Sequence, residues 1–323
     1  MSLWEATVVM WLARGYTDLV PGGVVRIAGA AGGVGTHRLD LLEASAVKSL
    51  DHRFLPNVAP GMTARPGLHP VKALLAVVLT TAVFAGESGK SPEGIPRAQE
   101  EQIRAAAPDK PRVAPKRKRR VLIWSTPAHL MDRDPHKGYC VPCGLCAMRI
   151  LGEKTGAFEP VIHDDIAEFL PENIRRFDAI VMNDSCGPWI TPSDAAFTGH
   201  PWNEEVAVLN EEPGHPLVAA FAGKGFRIAD EIFQFGPPYD RQKLRVRLSL
   251  DTERTNMGVK WIQREDNDFA QAWVKSVEKG RIFYAGFGHR TEIWWNPAIL
   301  QFYLDAIQFA VGDLEGETAP SEE

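Results

Sequence analysis

The stretch Gly280-Arg-Ile-Phe-Tyr-Ala-Gly-Phe-Gly-His289 is the part of the chain that says most about its fold. An apolar segment of β type, Ile282 to Ala285, runs into glycines and then presents a histidine. Open α/β sheets bind ligands outside the carboxyl ends of their strands, where Gly286 and Gly288 would let a substrate approach the backbone. A histidine there can exchange protons near neutral pH or bind a metal. The alternative is a core strand followed by a capping histidine.

Strands and helices alternate upstream of this stretch. Short apolar runs at 121–125, 160–163 and 177–183 predict strands, and the run at 142–154 has its apolar residues at helical spacing. Pro142 suits the first turn of that helix. This β-α-β rhythm predicts parallel strands joined by right-handed crossovers in a doubly wound sheet.

The second half of the chain is rich in predicted strands. They are expected at 205–209, 227–235, 244–250, 258–264, 269–274 and 281–286, and the earlier ones could form antiparallel edges. An amphipathic helix at 297–311 closes the domain.

Four motifs stand in a fixed order along this half. They are Gly199-His-Pro-Trp202, His215-Pro216, Ala229-Asp-Glu-Ile-Phe-Gln-Phe235 and Trp294-Trp-Asn-Pro297. Together with the stretch that ends at His289, this set resembles the trehalose-utilisation (ThuA-like) family over Arg120 to Gly312. The resemblance implies a flavodoxin-like three-layer sandwich with a mostly parallel sheet. It also implies membership of the class I glutamine amidotransferase-like superfamily, without the catalytic cysteine–histidine pair of those enzymes.

The chain departs from the family pattern after Asp194. Family members carry a further helix and strand here, and that strand contributes to the pocket. The interval from Asp194 to His200 cannot supply both a helix and a strand, because a parallel crossover needs a dozen or more residues. We therefore expect a sheet that lacks one internal β/α unit.

The candidate acid and base groups are two histidines and two carboxylates. Asp230 and Glu231 are adjacent in a predicted strand, so their side chains point to opposite faces and at most one lines the pocket. The base would be His289 or His200, and the acid Glu231 or Asp230. Alternatively, a carboxylate caps a strand edge, or imidazole and carboxylate hold a divalent metal such as zinc.

The resemblance also indicates what the chain acts on. Family members are linked to the use of trehalose and related disaccharides, and act on 3-keto sugars made by a partner sugar oxidoreductase. The implied reaction is isomerisation or cleavage, begun by proton removal beside a carbonyl. Trp202 and Trp294 could stack on the sugar, although lone tryptophans are more often core residues. No nucleotide or flavin site is evident.

The cysteines form the sharpest local oddity in the sequence. Cys140, Cys143 and Cys146 surround the start of the predicted helix at 142–154, and Cys186 follows the third strand. Three interpretations stay open: a disulfide, a zinc or iron–sulfur site, and a set of inert buried thiols. Nucleophilic catalysis by Cys143 has no identifiable partner histidine.

Composition places the chain among ordinary globular proteins. It has 323 residues, 45% hydrophobic and 24% charged, and a net charge of −5 that argues against nucleic acid as the main partner. The basic run at 116–120 is interpreted as a solvated linker end, with a nucleic-acid or anionic-surface patch as the alternative.

The sequence of the first third of the chain does not indicate a compact domain. Residues 62–85 resemble a secretory signal, with a basic start, a short apolar run and small residues at a cleavage position. Residues 1–61 are then an over-extended start, poorly structured, and their glycine-rich run at 24–35 is a false dinucleotide fingerprint. Residues 86–119 are expected as a polar linker, 120–312 as the ThuA-like domain and 313–323 as a frayed acidic tail. Translation from Met62 would give an exported protein, and translation from Met1 a cytoplasmic one.

Two further functions compete with a sugar enzyme. The lacking β/α unit favours a non-catalytic or vestigial carbohydrate-binding protein, whereas the cysteine cluster favours a thiol-metal or redox protein. No stable membrane span is expected, since the apolar run at 73–85 is too short.

Overall fold

The structure, a computed structural model, describes residues 8–12, 89–125, 140–183, 196–237, 239–277 and 279–321. Residues 1–36 and 90–323 belong to one compact unit, and residues 37–89 to a second. All the helices and strands described lie in the first unit. In chain order they are β1 Val8–Leu12, α1 Arg97–Ala106, β2 Arg120–Trp124, α2 Cys140–Thr155, β3 Glu159–His163, α3 Pro171–Ile174, β4 Ala179–Met182, β5 Ala196–Asn210, β6 Phe226–Gly236, β7 Arg245–Leu250, β8 Ala270–Val277, β9 Gly280–Ala285 and α4 Pro297–Ala310.

The strands form a single nine-stranded sheet in the order β3-β2-β4-β1-β9-β8-β7-β5-β6. Among the described strands, only β3, β2 and β4 pair in parallel, and every other pairing is antiparallel. The fold is therefore mixed α/β, and the expected mostly parallel, flavodoxin-like sandwich is not confirmed. The connections explain the difference: β8 and β9 are joined by two residues, too few for the crossover that parallel pairing requires.

Two of the three parallel strands, β2 and β4, are buried on both faces. In β2, Val121 and Ile123 lie in the main core, whereas Leu122 and Trp124 pack into a second cluster on the other face. Continuous apolar runs are typical of such strands because no face meets water. The β-α-β prediction is confirmed here, and α2 includes Pro142 in its first turn, as predicted.

The strand that joins the parallel and antiparallel parts of the sheet is β1, the first described strand of the chain. β1 lies between β4 and β9 and is antiparallel to both, with Val9 aligned to Met182 on one side and to Tyr284 on the other. Part of the segment expected to be poorly structured is thus a strand near the middle of the sheet. The signal-like segment at 62–85 and the glycine-rich run at 24–35 lie outside the described residues.

Two segments expected to be loose are ordered against the domain. Helix α1, inside the expected polar linker, packs on α2 and buries Ile103 completely. The acidic tail pairs with the basic run: Arg119 binds Asp313, and Lys116 lies 2.8 Å from Glu315. Opposite charges far apart in sequence therefore hold both segments in place.

Five of the six later strands predicted from the sequence are present, and Gly258 to Arg264 forms a turn instead. Among the helices that the structure describes, none is both long and apolar enough to cross a bilayer.

Candidate functional site

The antiparallel part of the sheet curls so that its last strand returns to the carboxyl end of β9. β6 lies at the edge of the sheet order, yet the Gln271 side chain of β8 donates to the Phe233 carbonyl of β6 at 2.9 Å. The backbone amide of Gly288, just after β9, donates to the Asp230 carboxylate of β6 at 2.8 Å. This curl brings the acidic pair of β6 next to the loop that carries His289.

Asp230 holds that loop in position. One carboxylate oxygen accepts from the Gly288 amide and the other from the Arg290 amide, each at 2.8 Å. The side chain is fully buried, and this burial raises the pKa of Asp230 to about 7, with a smaller contribution from the neighbouring Glu231 carboxylate. The two amide hydrogen bonds act in the opposite direction, because they favour the ionised form. Asp230 therefore has a positioning role, one step removed from any substrate.

The loop is fixed at several further points. The Arg290 guanidinium donates to the Asn203 carbonyl at 2.8 Å, and the Trp294 indole donates to the Gly288 carbonyl at 3.0 Å. Gly288 itself has φ +146°, a value that favours glycine. His289 is thus presented by a rigid loop rather than by a mobile one.

Glu231 points away from Asp230 and lies between two imidazoles. His200 Nδ1 is 2.7 Å from Glu231 Oε1, and His289 Nε2 is 3.7 Å from Glu231 Oε2. The Glu231 side chain is 7% exposed, whereas His289 is 15% and His200 31% exposed. The carboxylate is therefore buried, and His200 is the member of the group most open to a ligand.

The local strand geometry explains how His200 reaches Glu231. β5 pairs with β6 in register from Trp202 onward, but the register shifts between Gly199 and Trp202, where His200 lies. Such bulges re-aim a side chain out of the regular alternation.

This arrangement suits proton transfer. When Glu231 accepts a hydrogen bond from Nδ1 of His200, the imidazole is held in the tautomer whose Nε2 carries no proton and can act as a base. The buried carboxylate also stabilises the imidazolium that forms when Nε2 takes up a proton.

The residues expected to contact substrate are placed differently. Trp202 and Trp294 are both fully buried, and the Trp202 indole donates to the Asn256 carbonyl at 2.8 Å. Their rings belong to the core, so their placement does not support stacking on a sugar. The Gly286 and Gly288 amides donate to the Gln271 carbonyl and to Asp230 and are engaged within the protein.

One exposed aromatic side chain beside the histidines is absent from the sequence-based set of site residues. Trp261 is 69% exposed, and its ring centroid lies 6.3 Å from that of His200. Trp261 belongs to the segment predicted as a strand, and a strand prediction gives no reason to single it out.

No disulfide joins any two of the three described cysteines. Cys140, Cys143 and Cys146 are buried in α2, and burial raises the pKa of Cys146. A raised pKa disfavours the thiolate that metal binding and nucleophilic chemistry require. Cys186 lies outside the described residues. In the part of the chain that is described, no cluster of three or more His, Cys, Asp or Glu side chains is arranged to hold a metal ion.

Comparison with known proteins bears on the same part of the chain. Residues 187–310 match the family model for ThuA, trehalose utilisation. This part of the chain is similar to ThuA-family domains. The match includes β5 to α4, and with them His200, Glu231 and His289, and it relates this segment to sugar utilisation. No curated protein and no solved structure matches the chain.

Proposed function

We propose that this protein is an enzyme that transfers protons on keto sugars or related disaccharide derivatives. The observation that carries the proposal is the 2.7 Å contact between His200 Nδ1 and the buried Glu231 carboxylate, with His289 on the carboxylate's other oxygen. A histidine oriented by a carboxylate is a general base near neutral pH. The trehalose-utilisation match supplies the class of substrate.

In the proposed reaction His200 Nε2 removes the proton from the carbon beside the sugar carbonyl. The electron pair of that C–H bond forms an enolate. If the enolate is protonated at another position, the result is isomerisation. If it expels the glycosidic oxygen instead, that oxygen takes a proton from His289 and the glycoside is cleaved. A sugar oxidoreductase would supply the keto group, which makes the neighbouring proton acidic.

Proton exchange in D₂O tests the first step directly. With 3-keto-trehalose as substrate, NMR would follow replacement of the proton beside the carbonyl by deuterium. We expect Glu231→Gln and His200→Gln to slow exchange by about 10²- to 10⁴-fold, the usual contribution of a general base. His163→Gln is the matched control, since His163 also lies 3.7 Å from a glutamate but is 47% exposed and far along the sheet.

The outcomes separate the candidate functions. Exchange at the wild-type rate in both site variants, with unchanged melting temperatures, would refute the proposed mechanism. Sugar binding without any exchange in the wild-type protein would favour a non-catalytic carbohydrate-binding protein.

A further inference from the structure

Trp261 stands out among the described residues by its exposure. It is 69% exposed, more than any other large apolar side chain described, the next being Ile166 at 55%. Exposing an indole to water is unfavourable, so an exposed tryptophan beside a polar cluster indicates a contact surface.

The backbone at Trp261 is held in an unfavourable conformation. Its φ is +75°, a left-handed value that bulky residues rarely adopt. Such strain persists only where the surrounding structure enforces it, and it concentrates at functional sites.

Here the enforcing group is a buried glutamine of β6. Gln234 is fully buried, and its side-chain amide donates to the Trp261 carbonyl at 2.7 Å. Its side-chain oxygen accepts a hydrogen bond from the backbone amide of Gln263 at 2.9 Å. The two ends of one side chain thus hold both sides of the turn, three positions along β6 from Glu231.

The turn places the indole next to the candidate base. The ring centroids of Trp261 and His200 are 6.3 Å apart, with an interplanar angle of 75°. In this edge-to-face contact the indole packs against the imidazole and still keeps most of its surface in solvent.

We infer that Trp261 is the stacking platform for the sugar ring in this site. The polarised C–H groups on one face of a pyranose pack well on the electron-rich face of an indole. A ring held there would place its carbon-bound protons beside His200. This inference rests on the proposed function and assigns to it the residue that binds the sugar, a role that the buried Trp202 and Trp294 cannot fill in this structure.

Binding and turnover measured side by side test the inference. The probe for binding is trehalose, titrated by NMR, and the probe for turnover is 3-keto-trehalose. For Trp261→Ala we expect the Kd of trehalose and the KM of the keto sugar to rise about 5- to 10-fold. The turnover number should change by less than about 3-fold, because the proton-transfer groups remain.

Three further variants give the result its meaning. Trp261→Phe keeps an aromatic face and should lie near the wild type. Gln234→Ala releases the turn and should weaken binding in the same direction as Trp261→Ala. Leu209→Ala, a truncation of another exposed apolar residue at 46% exposure, should change nothing.

The inference and the proposed function can fail separately. If Glu231→Gln abolishes exchange but Trp261→Ala keeps wild-type Kd and KM, the stacking role is wrong and the mechanism stands. If Trp261→Ala weakens binding but Glu231→Gln exchanges normally, the mechanism is wrong and the platform stands. Wild-type protein that binds neither sugar overturns both.

Discussion

Replacing Asp230 with asparagine should make the stability of the protein less sensitive to pH. Burial raises the pKa of Asp230 to about 7 from an ordinary value of 3.8. Between these values the folded protein holds a proton that the unfolded chain has lost. Unfolding therefore becomes easier as pH rises through this window.

The difference between the two pKa values sets how much stability the wild type loses. The loss of unfolding free energy is absent below pH 4 and reaches about 4 kcal/mol above pH 7. Asparagine does not titrate, but its Nδ2 cannot accept a hydrogen bond, so the bond from the Gly288 or the Arg290 amide is lost at a cost of about 1–3 kcal/mol at every pH. We expect the stability of Asp230→Asn relative to the wild type to increase by several kcal/mol between pH 4.5 and pH 8.

Urea unfolding at pH 4.5, 6 and 8 measures this difference. Other titrating groups cancel in the comparison of variant with wild type at each pH. Asp109→Asn is the control, because it makes the same chemical change at a side chain that is 88% exposed. A difference for Asp230→Asn that is the same at pH 4.5 and pH 8 would refute the reasoning. So would a difference that falls between pH 4.5 and pH 8, since the amide hydrogen bonds to the ionised carboxylate would then outweigh its burial.

Three other measurements probe the rest of the domain. Burial, assisted by the charge of Arg247, lowers the pKa of His215 to about 4 from 6.5. In urea unfolding, the wild type should therefore lose about 3 kcal/mol more stability than His215→Asn between pH 7 and pH 4. Equal losses would contradict this. A Cβ at Gly144 would clash with the Asn183 side chain, so Gly144→Ala should lower stability by about 2 kcal/mol or more in a thermal melt. Gly214→Ala, with open space around it, should not; equal melting temperatures would argue against the close approach at Gly144. The thiols of α2 are buried, so an aromatic disulfide reagent should modify no more than one cysteine per native chain, and fast reaction of several would show that the helix opens.

The sequence predicts the parallel part of the fold well because its signals are local. Val121 to Trp124 is apolar throughout, as a strand covered on both faces must be, and Pro142 indicates the first turn of α2. The position of β1 has no local signal, because it depends on backbone pairing with strands that are far away in the sequence.

The sequence indicates the candidate site residues but not how they are arranged. Family-like motifs indicate His200, Glu231 and His289, and strand alternation separates the directions of Asp230 and Glu231. The contact of His200 with Glu231 depends on a register shift in β5, which no sequence pattern shows.

The remaining differences arise from contacts over long distances in the sequence. The sequence from Gly258 to Arg264 predicts a strand, but two hydrogen bonds with the Gln234 side chain hold this segment as a turn. The tail after Gly312 is acidic and would fray in isolation, yet Arg119 and Lys116 bind its carboxylates. Composition alone cannot show which of two charged segments will meet.

The central position of β1 has a consequence for how the chain folds as it is made. β1 is made before the other described strands, but Val8 aligns with Ala285 of β9, which is the last described strand to be made. Pairings this distant form slowly, and an unpaired strand edge invites association with other chains. A chain begun at Met62 would lack β1 altogether and would leave β4 and β9 without the strand that joins them. During synthesis the pairing of β1 with β9 is therefore among the last described pairings to form. Until then, the edge of β1 that pairs with β9 stays exposed unless another protein covers it.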